Sequence, residues 1–394
     1  MSSYWKNFRW IKSSPDEHEF AEKRMMENIK VPYEQKMVKV GDHYINTVKA
    51  GSGEPLVLIH GYGAALGFWC ANIDFLSKHY TVYAIDLLGF GRSSRPDVKE
   101  LKTSDQAEEF WINSINEWSD VVGLQKFDLL GHSLGGYLSA CFTLKYPQRV
   151  NRLVLADSWG IPERPVDYDQ HLPTSLKILS KIITPDVPLS ILRALGPFGP
   201  DIIYKVRGDI LQKFENIYPL DPVPPRKQQL VANGTAAATV AIDVDKKQVP
   251  PPAAAGAGEG SAAAPVTSTP AVVNRVAEYI YHSNAQSPAT GEYLFGLLSL
   301  PLGWASNPLY DRIKKLHPDI DVTMLYGSNS WIDREPGYKL KEELSNIKDV
   351  VILEKSGHHC YIDAVDQFHT SILNALPKVE KDIRRDLLNQ KDQF

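Results

Sequence analysis

Cysteine is scarce in this chain. Cys70, Cys141 and Cys360 are widely separated and odd in number, which excludes a disulfide framework and leaves no zinc-ligand spacing, so reduced thiols in a cytoplasmic protein are expected. An excess of one charge is also missing. Lys and Arg number 43 against 47 Asp and Glu, a formal net of −4, so no broad basic face and no nucleic-acid partner are expected. No apolar run approaches the ~20 residues needed to span a bilayer. Charged residues throughout the first thirty positions interrupt the apolar stretch that a secretory signal requires. What remains is a chain of 394 residues, long enough for one large or two ordinary domains with a sizeable core, either soluble or lying on a membrane surface.

The stretch with the clearest chemical meaning is Lys126–Tyr137, KFDLLGHSLGGY. The apolar run Phe127–Leu130 predicts a buried strand, and helix formers run from Tyr137 to Lys145. Between them lies Gly131-His132-Ser133-Leu134-Gly135, the G-x-S-x-G pattern. Strand, tight turn and helix in that order are what a nucleophile elbow needs to present Ser133 at the edge of a sheet. The glycines remove Cβ atoms where strand and helix approach closely.

Around this elbow the chain alternates strands and helices. Ser14-Pro15 opens a helix expected to reach about Lys30, followed by a hairpin, Glu34–Val40 and Tyr44–Lys49, joined by Gly41-Asp42. Strands are expected at Pro55–Ile59, Tyr80–Ile85, Arg152–Leu155, Asp321–Tyr326 and Val350–Leu353. Helices are expected near Ser104–Val122, Gly337–Leu344 and Ala364–Leu376. The pattern implies an α/β fold with a mostly parallel central sheet covered on both faces. From Trp159 to about Pro308 the rhythm breaks into Pro-rich loops and short apolar helices (172–183, 191–195, 202–214 and 273–281), the composition of an inserted helical cap. Within it, residues 221–270 are rich in Ala, Pro, Gly, Thr and Val and read as a disordered insertion. The organisation is therefore an N-terminal segment (1–30), a first core part (31–158), the cap (159–308), a second core part (309–377) and a charged tail (378–394).

Loops leaving the C-terminal strand ends, where parallel sheets bind ligands, carry His60-Gly61-Tyr62-Gly63, the elbow, Asp333, and Gly357-His358. Serine is a poor nucleophile at neutral pH and needs an imidazole to take its proton, and the imidazole needs a carboxylate to fix its tautomer. In chain order Ser133, Asp333 and His358 supply these roles, with the backbone N–H groups of Tyr62 and Leu134 as the oxyanion hole. Asp157, at an earlier strand end, is the alternative acid, because the commoner acid spacing after the strand-end Gly327 falls on Ser330. His359 is a lesser alternative base. His60 reads as shaping the oxyanion turn, and Asp86 and Arg92 as organising their own turn. His358 and Asp363 also form an H-x4-D pattern, in which Asp363 either takes part in acyl transfer or caps the next helix.

At residues 4–12, Tyr4, Trp5, Phe8 and Trp10 alternate with Lys6, Arg9 and Lys12. Such a segment suits a lipid headgroup boundary, with Trp5, Phe8 and Trp10 making the contact; the other reading is rings that pack on the fold.

The elbow GHSLGGYLSA, the segment YGSNSWID, the runs EYIYHSNAQSPATGEYLF, LPLGWASNPLYDRI and LHPDIDVTMLYG, and GHHCYID together resemble the α/β-hydrolase-domain four/five subfamily over most of the chain outside 221–270 and the C-terminus. The resemblance supports Asp333 as the acid and likens the N-terminus to a Trp-rich lipid-droplet anchor. It implies serine-dependent hydrolysis of (lyso)phospholipid acyl esters such as N-acyl phosphatidylethanolamine. Acyl-CoA-dependent lysophosphatidate acyltransfer is linked to H-x4-D in this subfamily. No metal or redox cofactor is implied; acyl-CoA would be a co-substrate for transfer only. The alternative is a lipid-droplet coactivator or scaffold, partnered by a lipase or a droplet coat protein, as in the branch with asparagine at the nucleophile position. Here that position holds Ser133.

Overall fold

Pro55–Ile59 shows why this chain builds a two-sided sheet. Leu56 and Leu58 point into one core, Val57 and Ile59 into the other, and all four are inaccessible to solvent. With side chains alternating across the strand, burial on both faces requires apolar residues at every position. The same division recurs at Val82 and Ala84 against Tyr83 and Ile85, and at Val154 and Ala156 against Leu153 and Leu155. The computed structural model describes residues 13–168, 187–194, 199–206, 208–214 and 274–377.

The strands are β1 (Tyr33–Val40), β2 (His43–Ala50), β3 (Pro55–Ile59), β4 (Thr81–Ile85), β5 (Phe127–His132), β6 (Val150–Ala156), β7 (Asp321–Gly327) and β8 (Ile347–Leu353). They form one eight-stranded sheet in the order β1-β2-β4-β3-β5-β6-β7-β8. The expected hairpin β1–β2 is antiparallel and pairs antiparallel with β4; every other pairing is parallel. Adjacent β5, β6 and β7 therefore end side by side, at the edge where the elbow emerges.

The helices are α1 (Pro15–Met26), α2 (Cys70–Leu76), α3 (Ser104–Val121), α4 (Leu134–Lys145), α5 (Val187–Ala194), α6 (Gly199–Val206), α7 (Gly208–Phe214), α8 (Arg275–Asn284), α9 (Thr290–Leu298), α10 (Tyr310–Ile313), α11 (Glu335–Glu343), α12 (Cys360–Asp363) and α13 (Val365–Ala375). On one face lie Ile73 and Leu76 of α2 and Phe368 and Ile372 of α13, continuous with α1 and the apolar sides of α5–α8. On the other, Trp111, Ile115 and Trp118 of α3 pack with Leu138 and Phe142 of α4. Each large apolar side chain buried this way contributes roughly 1.5–3 kcal/mol.

Helix α1 begins with a reciprocal capping box: Ser14 Oγ accepts from Glu17 N–H, and the Glu17 carboxylate accepts from Ser14 N–H. It stops at Met26, short of the expected Lys30, because Asp74 Oδ1 takes the N–H groups of Lys30 (2.8 Å) and Val31 (3.0 Å). The expected helix 202–214 is two helices, α6 and α7, the second opening at Gly208. Helix α9 was not expected from TGEYLFGLL, whose two glycines mask a buried stripe at Leu294 and Leu298. The expected helix 172–183, the low-complexity run 221–270, the tail 378–394 and the aromatic segment with Trp5, Phe8 and Trp10 lie outside the described residues. Among the described residues no helix is long and apolar enough to cross a membrane.

Candidate active site

Ser133 links β5 to α4 with φ +54° and ψ −117°, a conformation that costs a non-glycine residue about 1–3 kcal/mol. Its surroundings enforce it. Ser133 N–H donates to Ala156 O (3.1 Å), and its carbonyl accepts from Tyr137 N–H (3.1 Å) and Trp159 N–H (3.2 Å). A Cβ on Gly131 would collide with the Gly135 carbonyl, and one on Gly135 with the backbone of Ile59 and His60. Both glycines are thus required for strand and helix to meet closely enough to lift Ser133 into the turn.

The structure brings His358, the expected base, beside Ser133. Ser133 Oγ lies 3.0 Å from His358 Nε2. At the other ring nitrogen, His358 Nδ1 lies 2.6 Å from a carboxylate oxygen, that of Asp157. The acid in the arrangement is therefore Asp157, on the loop after β6, and not Asp333. Asp333 is exposed, and its Oδ1 accepts from Glu335 N–H (3.0 Å) at the start of α11. The reason is topological: β6 and β7 are hydrogen-bonded neighbours, so their two end-loops converge on one place. Asp157 occupies it, held by Gly327 N–H donating to Oδ1 (3.2 Å) and Ser330 Oγ–H donating to Oδ2. Position 330, where the commoner spacing would put the acid, contributes this supporting hydroxyl instead. Asp157 itself has φ +47° and is fully buried. Because an ionised carboxylate only accepts, the proton sits on His358 Nδ1 and the lone pair on Nε2 faces the serine hydroxyl.

The loop after β3 closes the other side. A Cβ on Gly61 would stand 3.0 Å from Ser133 Cβ and 2.9 Å from His132 Nδ1, so the backbone just before Tyr62 packs against the elbow. The Tyr62 ring stacks on Phe295 at 4.3 Å and meets Phe90 edge-on at 5.8 Å. Leu134 supplies the first N–H of α4, one of the donors a helix leaves unpaired at its start. His60 is structural in its contacts: Leu87 N–H donates to its Nε2 (3.1 Å), so the proton is on Nδ1, donating to Gly61 O (2.8 Å). Burial lowers its pKa to about 4, keeping the ring neutral.

His132, inside the elbow motif, was given no role in the sequence. Its Nε2–H donates to the His358 carbonyl (2.8 Å) and its ring lies 4.8 Å from that of His358. Burial, and then the neighbouring His358 and His359, hold its pKa well below the usual imidazole value, so it positions the base as a neutral donor. Trp331 was also missed. Its ring is 5.1 Å from the His358 ring and largely exposed, placed to stabilise an imidazolium. Asp363 is not on the ring of His358: its Oδ2 accepts from Gly357 N–H (2.8 Å) and pairs with Lys213 Nζ of α7 (2.9 Å). The membrane-contact residues Trp5, Phe8 and Trp10 are outside the described residues.

The alpha/beta hydrolase fold family matches residues 54–365. The human protein named 1-acylglycerol-3-phosphate O-acyltransferase ABHD5 is 34% identical over 361 residues, covering 89% of this chain and 87% of its own. The (lyso)-N-acylphosphatidylethanolamine lipase of Bos taurus is 34% identical over 322 residues, covering 81% and 78%. Among solved structures, a membrane phospholipase A described as a bacterial virulence factor has a TM-score of 0.55 at 18% identity, covering 92% and 91% of the two chains. Carboxylesterase CesB of Bacillus subtilis has a TM-score of 0.56 at 14% identity, covering 92% and 98%. These two show the fold.

Proposed function

The chain belongs to the α/β-hydrolase family, in the group that holds ABHD5 and the (lyso)-N-acylphosphatidylethanolamine lipases, and from this we propose that it cleaves acyl esters of (lyso)phospholipids through Ser133. One observation carries the reading: Ser133 Oγ on a strained elbow, 3.0 Å from His358 Nε2, with Asp157 2.6 Å from Nδ1. Ser133 Oγ gives its proton to His358 Nε2 as it bonds to the ester carbonyl carbon. Asp157 stabilises the imidazolium, and the N–H groups of Tyr62 and Leu134 receive the oxyanion, each worth roughly 3–4 kcal/mol in comparable sites. His358 then protonates the departing glycerol oxygen, leaving an acyl-enzyme that water hydrolyses by the same steps in reverse.

The chemistry needs no metal or redox group. If the hydroxyl of a lysophosphatidate replaces water, the acyl group is transferred to it; acyl-CoA would then be the acyl donor to Ser133. Within this scheme Asp363 is a positioning residue, since both donors on its Oδ2 fix the loop before His358. Trp5, Phe8 and Trp10 are proposed to rest on a lipid surface such as a droplet. The rival, a droplet scaffold that activates a lipase, uses those rings and not Ser133.

The test is a substrate panel on purified protein beside Ser133→Ala: N-acyl phosphatidylethanolamine, lysophospholipids and triacylglycerol with water, and lysophosphatidate with acyl-CoA. Loss of a triad nucleophile typically costs ~10⁶ in kcat, so turnover should fall to background. Phosphatidate synthesis that survives Ser133→Ala but is lost in His358→Ala or Asp363→Ala would favour an acyltransferase independent of the serine, and no turnover in either protein would refute the hydrolase and favour the scaffold.

A further inference from the structure

Asp333, displaced from the catalytic role, stands at a second feature. With Trp159, Tyr168, Leu302, Trp304 and Trp331 it lines a cavity of about 170 Å³. The wall is shared with the active site. Trp331 lies against the His358 ring, and the next residue, Ile332, donates its N–H to Ser330 Oγ (3.1 Å), the hydroxyl that supports Asp157. The opposite wall is fixed in place: Trp159 Nε1–H donates to Gly303 O (2.6 Å) and Leu300 N–H to Trp304 O (2.7 Å).

The size and lining select an occupant. Sites for drug-sized ligands run about 300–1,000 Å³, whereas ~150 Å³ holds a benzene, so this cavity takes a headgroup and not an acyl chain. Its lining offers ring faces, which are electron-rich, and the carboxylate of Asp333, which pairs with no Lys or Arg among the described residues. Tyr168 already carries Arg164 over its ring at 5.4 Å and meets Trp304 edge-on at 5.2 Å, and Trp159 is packed against Tyr137 and Phe295, which leaves Trp304 and Trp331 to present rings to a ligand. A primary ammonium would need several acceptors to replace its water, and one carboxylate does not supply them. A quaternary ammonium needs none, and is held by ring faces and one anion.

Resting on the hydrolase reading above, we infer that this cavity binds the quaternary ammonium of a choline headgroup and so directs the enzyme to choline lysophospholipids, with the scissile ester at Ser133. A headgroup whose amine is acylated, or one that has no amine, brings no cation to the rings.

Two measurements test this. The first uses Ser133→Ala, where no turnover interferes, and titrates tetramethylammonium chloride while following tryptophan fluorescence. Saturable quenching is expected, lost when Trp304→Ala or Asp333→Asn is added and partly kept with Trp304→Phe. Circular dichroism melts establish that each variant is folded. The second compares kcat/KM for lysophosphatidylcholine, lysophosphatidylethanolamine and lysophosphatidylglycerol of one acyl length in neutral detergent micelles. The choline substrate should lead the glycerol one by roughly tenfold, carried by KM, and the ratio should fall towards one in Asp333→Asn. No saturable quenching, or equal kcat/KM across headgroups with active protein, overturns the inference and leaves the hydrolase standing. Variant effects that track acyl length instead would make the cavity a chain site and equally overturn it. Failure of all ester cleavage would refute the hydrolase, while the titration still decides the cavity.

Discussion

Replacing Asp157 by Asn separates the two carboxylates that compete for the role of catalytic acid, and the hydrogen bonds around it give the size of the effect. In the native arrangement Oδ2 accepts from His358 Nδ1–H and Ser330 Oγ–H, and Oδ1 accepts from Gly327 N–H. An asparagine has one acceptor and one donor for these places. If its NH2 faced Gly327, two donors would oppose each other in a buried site, at about 1–3 kcal/mol. The cheaper choice keeps the amide oxygen on Gly327 and turns the NH2 to His358, since the Ser330 hydroxyl can rotate to accept. Nδ1 must then be the bare nitrogen, and the imidazole proton moves to Nε2, where it points at Ser133 Oγ. In that tautomer the ring cannot take the serine proton. The loss expected is about 10⁴ in kcat, equivalent to about 5.5 kcal/mol, with the fold retained because the side chain keeps its shape. Asp333→Asn should cost less than about tenfold on p-nitrophenyl butyrate, an ester without a headgroup. Steady-state kinetics on that ester, with melting temperatures as the fold control, decide the matter. A loss of 10³ or more in Asp333→Asn with Asp157→Asn near wild type would refute the assignment.

Asp363→Ala should lower hydrolysis and any acyltransfer together, by roughly tenfold, because Gly357 N–H and Lys213 lose a shared acceptor beside His358; Asp363→Asn, which keeps an acceptor, should recover part of it. Loss of transfer alone, measured with lysophosphatidate and acyl-CoA, would show instead that H-x4-D acts as an independent base. His60 gives a pH prediction. Its pKa is about 4 when folded against 6.5 for an ordinary imidazole, so between those values the unfolded chain holds the extra proton. Its contribution is complete above pH 6.5 and is lost as pH falls towards 4, by about 3 kcal/mol. Ring chemical shifts should show His60 neutral at pH 5.5, and titration near 6.5 would contradict the burial argument.

Ser133 and His358, which the structure brings together, were legible in the sequence because local chemistry marks them. Gly131 and Gly135 bracket Ser133 at a spacing that lets this strand turn straight into a helix, and His358 follows the last apolar strand. The parallel sheet was legible for a similar reason: runs such as Leu56–Ile59 are apolar at every position, and only burial on both faces explains that. The acid was not legible. Asp157 and Asp333 both follow strand ends, and what separates them is the lateral pairing of β6 with β7, which puts Gly327 N–H and Ser330 at the Asp157 carboxylate. The resemblance of YGSNSWID favoured Asp333 for the same segment that proves to supply Ser330 and Trp331. His132 was hidden differently, since its role depends on a carbonyl 226 residues away.

The acid's place on β6 has a consequence for the order in which activity can arise. Ser133 and Asp157 both precede the cap, whereas His358 follows it. A ribosome therefore releases nucleophile and acid on neighbouring strands well before it makes the base. Until β7 arrives, Asp157 lacks the donors from Gly327 and Ser330, and until the segment after β8 docks, Ser133 has nothing to take its proton. The half-made chain lacks a base for Ser133 and is chemically silent. The same division means that changes in cap length reach Asp157 through Gly327 and Ser330, and Ser133 through His358, as the second half docks.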